Sequence, residues 1–179
     1  TPTLQFSPEP TAMVVGDIQT VSATSTTMLV DDGGGISYTL ILGSGSAMVD
    51  PFNGFLTALG AGTLTLNATL LGNDNYNSAL TSTLITIGKS TPSLAISSTS
   101  TSIPVNGTAT VLVTSSVVGV GSASTGAITY GIISFLGGAS ATIQANTGVV
   151  TATAAGQIVV GAFQASDANY TSASASLTI

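Results

Sequence analysis

The side chains of this protein that could do chemistry are few, and almost all of them are acidic. Seven residues are Asp or Glu, Lys89 is the only basic residue, and the sequence has neither His nor Cys. A Ser-His-Asp triad and a zinc site of the His/Cys type are therefore excluded. The only Glu, Glu9, stands between two prolines, and the Asp residues lie in turn sequences, so no carboxylate pair is placed for glycoside hydrolysis. We expect that the chain is not an enzyme.

Two acidic segments offer the oxygen ligands that calcium prefers. VDDGGG at 30–35 places two carboxylates before a glycine run, and GNDNYNSAL at 72–80 places one between two Asn side chains. The candidate calcium ligands are Asp31, Asp32, Asp50 and Asp74. The spacing in VDDGGG does not fit an EF-hand loop, and Asp and Asn also form turns by bonding their own backbone. The sequence favours plain turns without a cofactor and leaves calcium as the alternative.

The charge balance excludes two classes of partner. With a formal net charge of -6 and one basic residue, the chain cannot neutralise the phosphates of a nucleic acid or grip anionic lipids. Ser, Thr, Asn and Gly interrupt every apolar run well short of about 18 residues, so we expect no membrane insertion. Only 4% of the residues are charged, against about 25% in an ordinary soluble domain. That composition is typical of a secreted β-protein, and the opening residues TPTLQFSPEP have no signal-peptide pattern.

The loop GNDNYNSAL has a counterpart, SDANYTSAS at 166–174, because the whole chain is a duplication. The other matched segments are TPTL at 1–4 with TPSL at 91–94, VVGDIQTVSATS at 14–25 with PVNGTATVLVTS at 104–115, ISYTLI at 36–41 with ITYGII at 128–133, and FNGFLTALGAGTLTL at 52–66 with ANTGVVTATAAGQIVV at 145–160. The offset grows only from 90 to 94, so insertions fall in loops. We predict two domains, 1–88 and 91–179, joined at GKSTP.

Each copy has the pattern of short β-strands. In TLTLNAT, Leu64, Leu66 and Ala68 alternate with polar residues, which is the period of a strand with one buried face. Gly, Asn, Asp and Pro punctuate the sequence every 8 to 12 residues, a spacing typical of antiparallel sandwiches. No segment has helical periodicity. The sequence predicts an all-β chain of two tandem antiparallel β-sandwiches with a short linker, stiffened by Pro92.

The repeated loop contains one Tyr in each copy, Tyr76 and Tyr170. Asp and Asn before it favour a turn. We expect each ring to fold back and fill the end of its sandwich while the hydroxyl finds a partner.

The order TPTL…VGD…ISYTL…GAGTLTLNATLLGNDNYNSA…LITI resembles the bacterial immunoglobulin-like repeats of large secreted and surface-anchored proteins. The resemblance covers both copies and is strongest over 52–87 and 145–179. It implies an immunoglobulin-like fold, an extracellular or cell-surface location, and a structural or adhesive role as a stalk, fibre or lattice segment. Neighbouring repeats or subunits of the same protein are the implied partners.

Three Asn-x-Thr sequons could carry glycan: Asn67, Asn106 and Asn169.

A second function stays open, a module that binds carbohydrate or another ligand, with a host or matrix glycan as the partner. Such a module needs exposed aromatic residues. The chain has four Tyr and five Phe, and we expect several of them to be buried.

The two copies differ on their outer faces. Six of the seven acidic residues are in the first copy, and Asp167 alone is in the second. Outward strand positions Thr65, Asn67 and Thr69 are matched by Val159, Gly161 and Phe163. Because exposed apolar patches are usually small, we predict an interface through Val159 and Phe163, covered by a neighbouring subunit, repeat or surface. The alternative is that Gly, Ser and Thr keep this face soluble while nearby loops cover Phe163.

Overall fold

The computed structural model describes residues 2–26, 35–72 and 76–179, which form sixteen β-strands. The strands are β1 Leu4–Phe6, β2 Met13–Val14, β3 Ile18–Thr20, β4 Ala23–Ser25, β5 Ile36–Leu42, β6 Ser46–Val49, β7 Phe55–Gly60, β8 Gly62–Leu70, β9 Ala79–Gly88, β10 Ser93–Ser98, β11 Thr108–Ser116, β12 Ile128–Leu136, β13 Ser140–Ile143, β14 Val149–Ala154, β15 Gln157–Gln164 and β16 Ala173–Thr178. In this part of the chain there is no helix, and so none that could cross a membrane. The all-β prediction is confirmed.

The backbone contacts divide the chain into two units. Unit 1 comprises Thr1–Ser90 with Val118–Ser122, and unit 2 comprises Thr91–Val117 with Ala123–Ile179. The short segment Val118–Ser122 belongs to unit 1 in this division, although in sequence it lies within the second copy. The domain bounds 1–88 and 91–179 stay a prediction.

Unit 2 contains strands β10 to β16 in two sheets. One sheet has the order β10-β11-β14-β13 and the other the order β12-β15-β16, with every pairing antiparallel. Lettered A to G in chain order, these sheets are A-B-E-D and C-F-G, the arrangement of a constant-type immunoglobulin domain. The core cluster consists of Val111, Ala139, Ala141, Val150, Ile158 and Val160. The predicted immunoglobulin-like sandwich is confirmed.

Unit 1 uses the same seven strand positions with two differences. Position B is broken into β3 and β4, which pair with β7 and β1 respectively. The short strand β2 is added parallel to β9, so the second sheet has the order β2-β9-β8-β5. Leu64, Leu66 and Ala68 are almost fully buried, so the alternation in TLTLNAT places its apolar residues in the core as predicted.

The duplication is visible in the turn between positions D and E. The N–H of Gly54 donates to Asp50 O at 3.0 Å, and the N–H of Gly148 donates to Gln144 O at 2.9 Å. The two glycines have φ angles of 68° and 69°, a region that L side chains rarely adopt. A Cβ atom at Gly148 would also lie only 2.6 Å from Val111 O. Both copies therefore require glycine at this position.

Candidate functional site

The predicted calcium ligands are only partly described. Asp31, Asp32 and Asp74 lie outside the described residues, so calcium at these positions stays a prediction. Within 2–26, 35–72 and 76–179, no group of three or more Asp, Glu, His or Cys side chains is placed to hold a metal ion.

Asp50, the described candidate, closes the turn between β6 and β7. Its Oδ1 accepts hydrogen bonds from the N–H groups of Phe52 and Asn53, both at 2.9 Å, and its Oδ2 accepts one from Asn53 Nδ2 at 3.2 Å. These donors, the Asn53 N–H first among them, favour the charged form and lower the pKa of Asp50. The hydrogen bonds of the turn therefore explain the position of the Asp50 carboxylate without a bound cation.

Asp167 joins two loops at one end of unit 2. Its Oδ1 accepts from the N–H groups of Asn169 at 2.9 Å and Tyr170 at 2.8 Å. Its Oδ2 accepts from Ser124 Oγ at 2.8 Å, from Thr125 N–H at 2.7 Å and from Thr125 Oγ1 at 3.3 Å. Burial raises the pKa of Asp167, but these hydrogen bonds, led by the Asn169 N–H, outweigh burial and hold that pKa far below its usual range. The loop after β15 is thus tied to the loop before β12.

The repeated Asn-Tyr loop is a structural turn in the second copy. The Asp167 N–H donates to Tyr170 O at 3.0 Å, and the Tyr170 ring is buried. The predicted burial is confirmed for Tyr170. Tyr76 is half-buried and follows residues outside the described part.

The three sequons differ in exposure. Asn67 lies half-buried on β8, and Asn169 is half-buried with its N–H bonded to Asp167. Asn106 is exposed in a turn with a φ of 68°. Of the three, Asn106 is the side chain best placed to be modified.

The outer face of the β12-β15-β16 sheet carries the two residues predicted to form an interface. Along β15, Ile158, Val160 and Ala162 are buried. The alternate residues point away from the core: Val159 is half-buried and Phe163 is 49% exposed.

A shallow depression lies at the centre of this face, because Gly131 and Gly161 stand opposite each other on β12 and β15. A Cβ atom at Gly131 would meet no atom within 4 Å, whereas one at Gly161 would lie 2.8 Å from Ile133 Cδ1. Ile133 therefore leans over the Gly161 end and is still 63% exposed. The depression has a volume of about 490 Å³, and no charged side chain lines it. We call it the glycine groove and define it by Thr129, Gly131, Ile133, Gly161, Phe163, Ser174 and Ser176.

Unit 1 has no glycine pair at this place. Thr39 and Asn67 stand opposite each other there, in the positions that the repeat matches with Gly131 and Gly161. Exposed apolar side chains are nevertheless present on the same face of unit 1, where Ile41 is 61% exposed and Leu84 is 68% exposed. The units thus differ in the shape of this face more than in its apolar character.

Sequence reasoning identified Phe163 and Gly161 but missed Gly131 and Ile133. The signal was available, since ISYTLI in the first copy matches ITYGII in the second and Thr39 becomes Gly131. Only the strand pairing reveals that Gly131 and Gly161 are neighbours.

Comparisons with known proteins assign no family. No protein-family model matches the chain, and no curated protein matches it. Solved structures with similar backbones include protocadherin gamma B2 extracellular cadherin domains 3-6, with 18% identity and a TM-score of 0.39 over 99% of this chain and 50% of that chain. Human CDH23 EC21-23 has 16% identity and a TM-score of 0.37 over 99% of this chain and 63% of that chain.

A bacterial surface protein is similar to the chain at about the same level of identity and TM-score. BT4661, a SusE-like surface-located polysaccharide-binding protein from Bacteroides thetaiotaomicron, has 12% identity and a TM-score of 0.35 over 94% of this chain and 32% of that chain. The chain spans less than two thirds of each of these three structures. Similarity at this level says nothing about what the chain binds.

Proposed function

We propose that the chain is a structural, adhesive module of a cell-surface or secreted protein, a segment of a stalk, fibre or lattice. In this role the glycine groove of unit 2 makes a cohesive contact with a neighbouring copy or repeat of the same protein. The observation that supports this is an uncharged depression with the apolar rim residues Phe163 and Ile133. Its floor belongs to a hydrogen-bonded sheet, so the groove keeps its shape before a partner arrives.

The motifs that resemble bacterial immunoglobulin-like repeats support the same role. The duplication into 1–88 and 91–179 matches a protein built from serial copies of one unit. In this proposal the chain acts outside the cell and needs no cofactor.

The strength of one groove contact follows from its exposed surface. A Phe side chain offers roughly 200 Å², and about half of Phe163 is exposed, so covering it contributes about 2.5 kcal/mol. Ile133 adds about 2 kcal/mol on the same basis. Together the two side chains contribute about 4.5 kcal/mol, which only just reaches the lower end of the cost of association, about 4 to 15 kcal/mol. One groove therefore binds weakly, and cohesion depends on many copies acting together.

A filled groove tests the proposal. The double variant Gly131→Thr/Gly161→Asn places the residues of unit 1 into the groove of unit 2. Ile133 can move aside because the atoms that a Cβ at position 161 would meet, Cδ1 and Cγ1, form the end of its flexible side chain. Leu84→Asp is the matched control, since it adds a charge at an exposed position on the same face of unit 1. Each variant is coupled in many copies to beads, because one groove alone binds weakly, and the clustering of the beads measures association.

We expect reversible association of the unmodified chain and of Leu84→Asp, and loss of association in the groove variant and in Phe163→Asp. Beads that carry the unmodified chain and stay dispersed, or beads that carry the groove variant and still cluster, contradict the proposal.

A second candidate function is glycan binding at the same groove. Thr129 and Ser174 stand directly opposite Phe163 on the two flanking strands, so hydroxyl groups border an exposed aromatic ring as a sugar site requires. A glycan array with the unmodified chain and Phe163→Asp separates the two functions. Glycan signals that disappear with Phe163→Asp favour this candidate.

A further inference from the structure

The two units differ in the turn between positions D and E as well as at the glycine groove. In unit 1 this turn carries Phe52, whose side chain is 82% exposed. Phe52 lies two residues before Gly54, and the residue two before the matched Gly148 is Asn146. Unit 1 therefore presents an exposed aromatic ring at the place where unit 2 presents an exposed amide.

The turn that carries Phe52 is held by its own hydrogen bonds. The Phe52 N–H donates to Asp50 Oδ1 at 2.9 Å, and the Gly54 N–H donates to Asp50 O at 3.0 Å. Both carboxylate oxygens of Asp50 accept hydrogen bonds from within the turn. A ring on a fixed backbone loses little conformational freedom when it binds, so the turn is organised for a contact in advance.

The turn lies beside the sheet of unit 1 and not at the end of the unit that holds the first residues. The Val21 N–H donates to Gly54 O at 2.8 Å. Beyond Val21 the chain continues into β4, which pairs with β1 so that Leu4 stands opposite Ser25. Phe52 is therefore exposed on the flank of the sandwich.

The exposed ring of unit 1 matches the glycine groove of unit 2 in shape and polarity. The groove is an uncharged depression with open space above Gly131. Two such depressions that faced each other would leave space between them, and the lining atoms would lack contacts there. A projecting apolar group fills the groove instead. Phe52 offers about 160 Å², since a Phe side chain has roughly 200 Å² and 82% of this residue is exposed.

We propose that Phe52 of one molecule inserts into the glycine groove of another molecule of the same chain, an inference that rests on the proposed function of the groove. The ring lies over the backbone of Gly131 and Gly161. Beside it stands Phe163, which gives an aromatic pair in addition to the buried area.

The contact has a direction, because the ring belongs to unit 1 and the groove to unit 2. Unit 1 has Thr39 and Asn67 at the positions of the groove glycines, and unit 2 has Asn146 at the position of the ring. The two surfaces that meet are therefore different, which makes the contact heterologous. A heterologous contact that does not close into a ring of molecules extends head to tail into a filament.

Two variants each remove one half of the contact. Phe52→Asn gives unit 1 the residue of unit 2 at an exposed turn position, and Gly131→Thr/Gly161→Asn fills the groove. Leu80→Asn is the matched control, because it replaces another exposed apolar side chain of unit 1, 65% exposed, by the same residue. Each protein is coupled in many copies to beads, with a different colour for each variant.

We expect beads with the unmodified chain or Leu80→Asn to cluster. Beads with Phe52→Asn alone, or with the groove variant alone, should cluster about tenfold less or not at all. A mixture of these two should cluster again with alternating colours, because the ring of the groove variant enters the intact groove of Phe52→Asn. Recovery in the mixture also shows that both variants are folded.

The outcomes separate this inference from the proposed function. Phe52→Asn beads that cluster like unmodified beads overturn the inference, and so does a mixture that stays dispersed while unmodified beads cluster. In both cases a loss of clustering in the groove variant still supports the proposed function. Unmodified beads that stay dispersed contradict both.

Discussion

Replacing Asp167 with Ala should loosen unit 2 selectively. The carboxylate accepts hydrogen bonds from three backbone N–H groups and two hydroxyls. Hydrogen bonds to charged groups contribute about 1.5 to 3 kcal/mol each, which would sum to more than the 4–5 kcal/mol that single substitutions rarely exceed. Because the residue is only half-buried, water replaces several of these bonds and screens the charge. We therefore expect a loss of about 2 to 3 kcal/mol.

Urea denaturation followed by hydrogen exchange and mass spectrometry measures each unit separately. Peptides from β14 and β15 report on unit 2, and peptides from β8 report on unit 1. With a denaturant slope of about 1.5 kcal/mol per molar, the midpoint of unit 2 should fall by about 1 to 2 M while that of unit 1 stays constant. The control is Asp17→Ala, which removes the same charge from unit 1, where one hydrogen bond to the Val14 N–H is lost.

The stability of unit 2 should also depend on pH through Asp167. The pKa of Asp167 is lowered in the folded state, so its stabilising effect is fully present above the unfolded pKa of about 3.9 and is lost as the pH falls below it. Unit 2 of the unmodified chain should therefore lose stability below about pH 4, and Asp167→Ala should lack this dependence. A midpoint shift under about 0.3 M at neutral pH, or an unchanged acid slope in the variant, would refute the reasoning from the loop geometry.

Three further predictions concern packing, turns and modification. Gly148→Ala should destabilise unit 2 by more than about 2 kcal/mol in thermal unfolding, because the Ala would have to adopt a positive φ and its Cβ would collide with Val111 O. Gly131→Ala is the control, because its Cβ would lie in open space, and it should change the stability of unit 2 by less than about 1 kcal/mol. Val160→Ala, at a fully buried position, should cost about 2 to 3 kcal/mol in urea denaturation, and a smaller cost than that of the exposed-site variant Leu84→Ala would contradict the core assignment. Expressed in a glycosylating host, the chain should carry glycan at Asn106 ahead of Asn169, as measured by peptide mass spectrometry, and the reverse order would contradict the exposure argument.

In the cohesive role that we propose, the glycine groove binds through side chains on a sheet face, and its contact is weak because little surface is covered.

The sequence by itself determined the strands, the duplication and the absence of metal-binding and nucleophilic chemistry based on His and Cys. Strand alternation is a local property of period two, so Leu64, Leu66 and Ala68 could be assigned to the core without knowing their partners. The turn at Asp167–Tyr170 was predictable for the same reason, because the bonds that the Asp167 carboxylate accepts from the Asn169 and Tyr170 N–H groups span only two or three residues.

Only the tertiary structure decided what depends on residues far apart in the chain. The pairing of Gly131 with Gly161 makes the groove, and the bonds from Ser124 and Thr125 to Asp167 join two loops. Each of these contacts spans more than 20 residues. Local sequence pattern does not specify such contacts, because strand order and register are set by the packing of the two sheets as a whole.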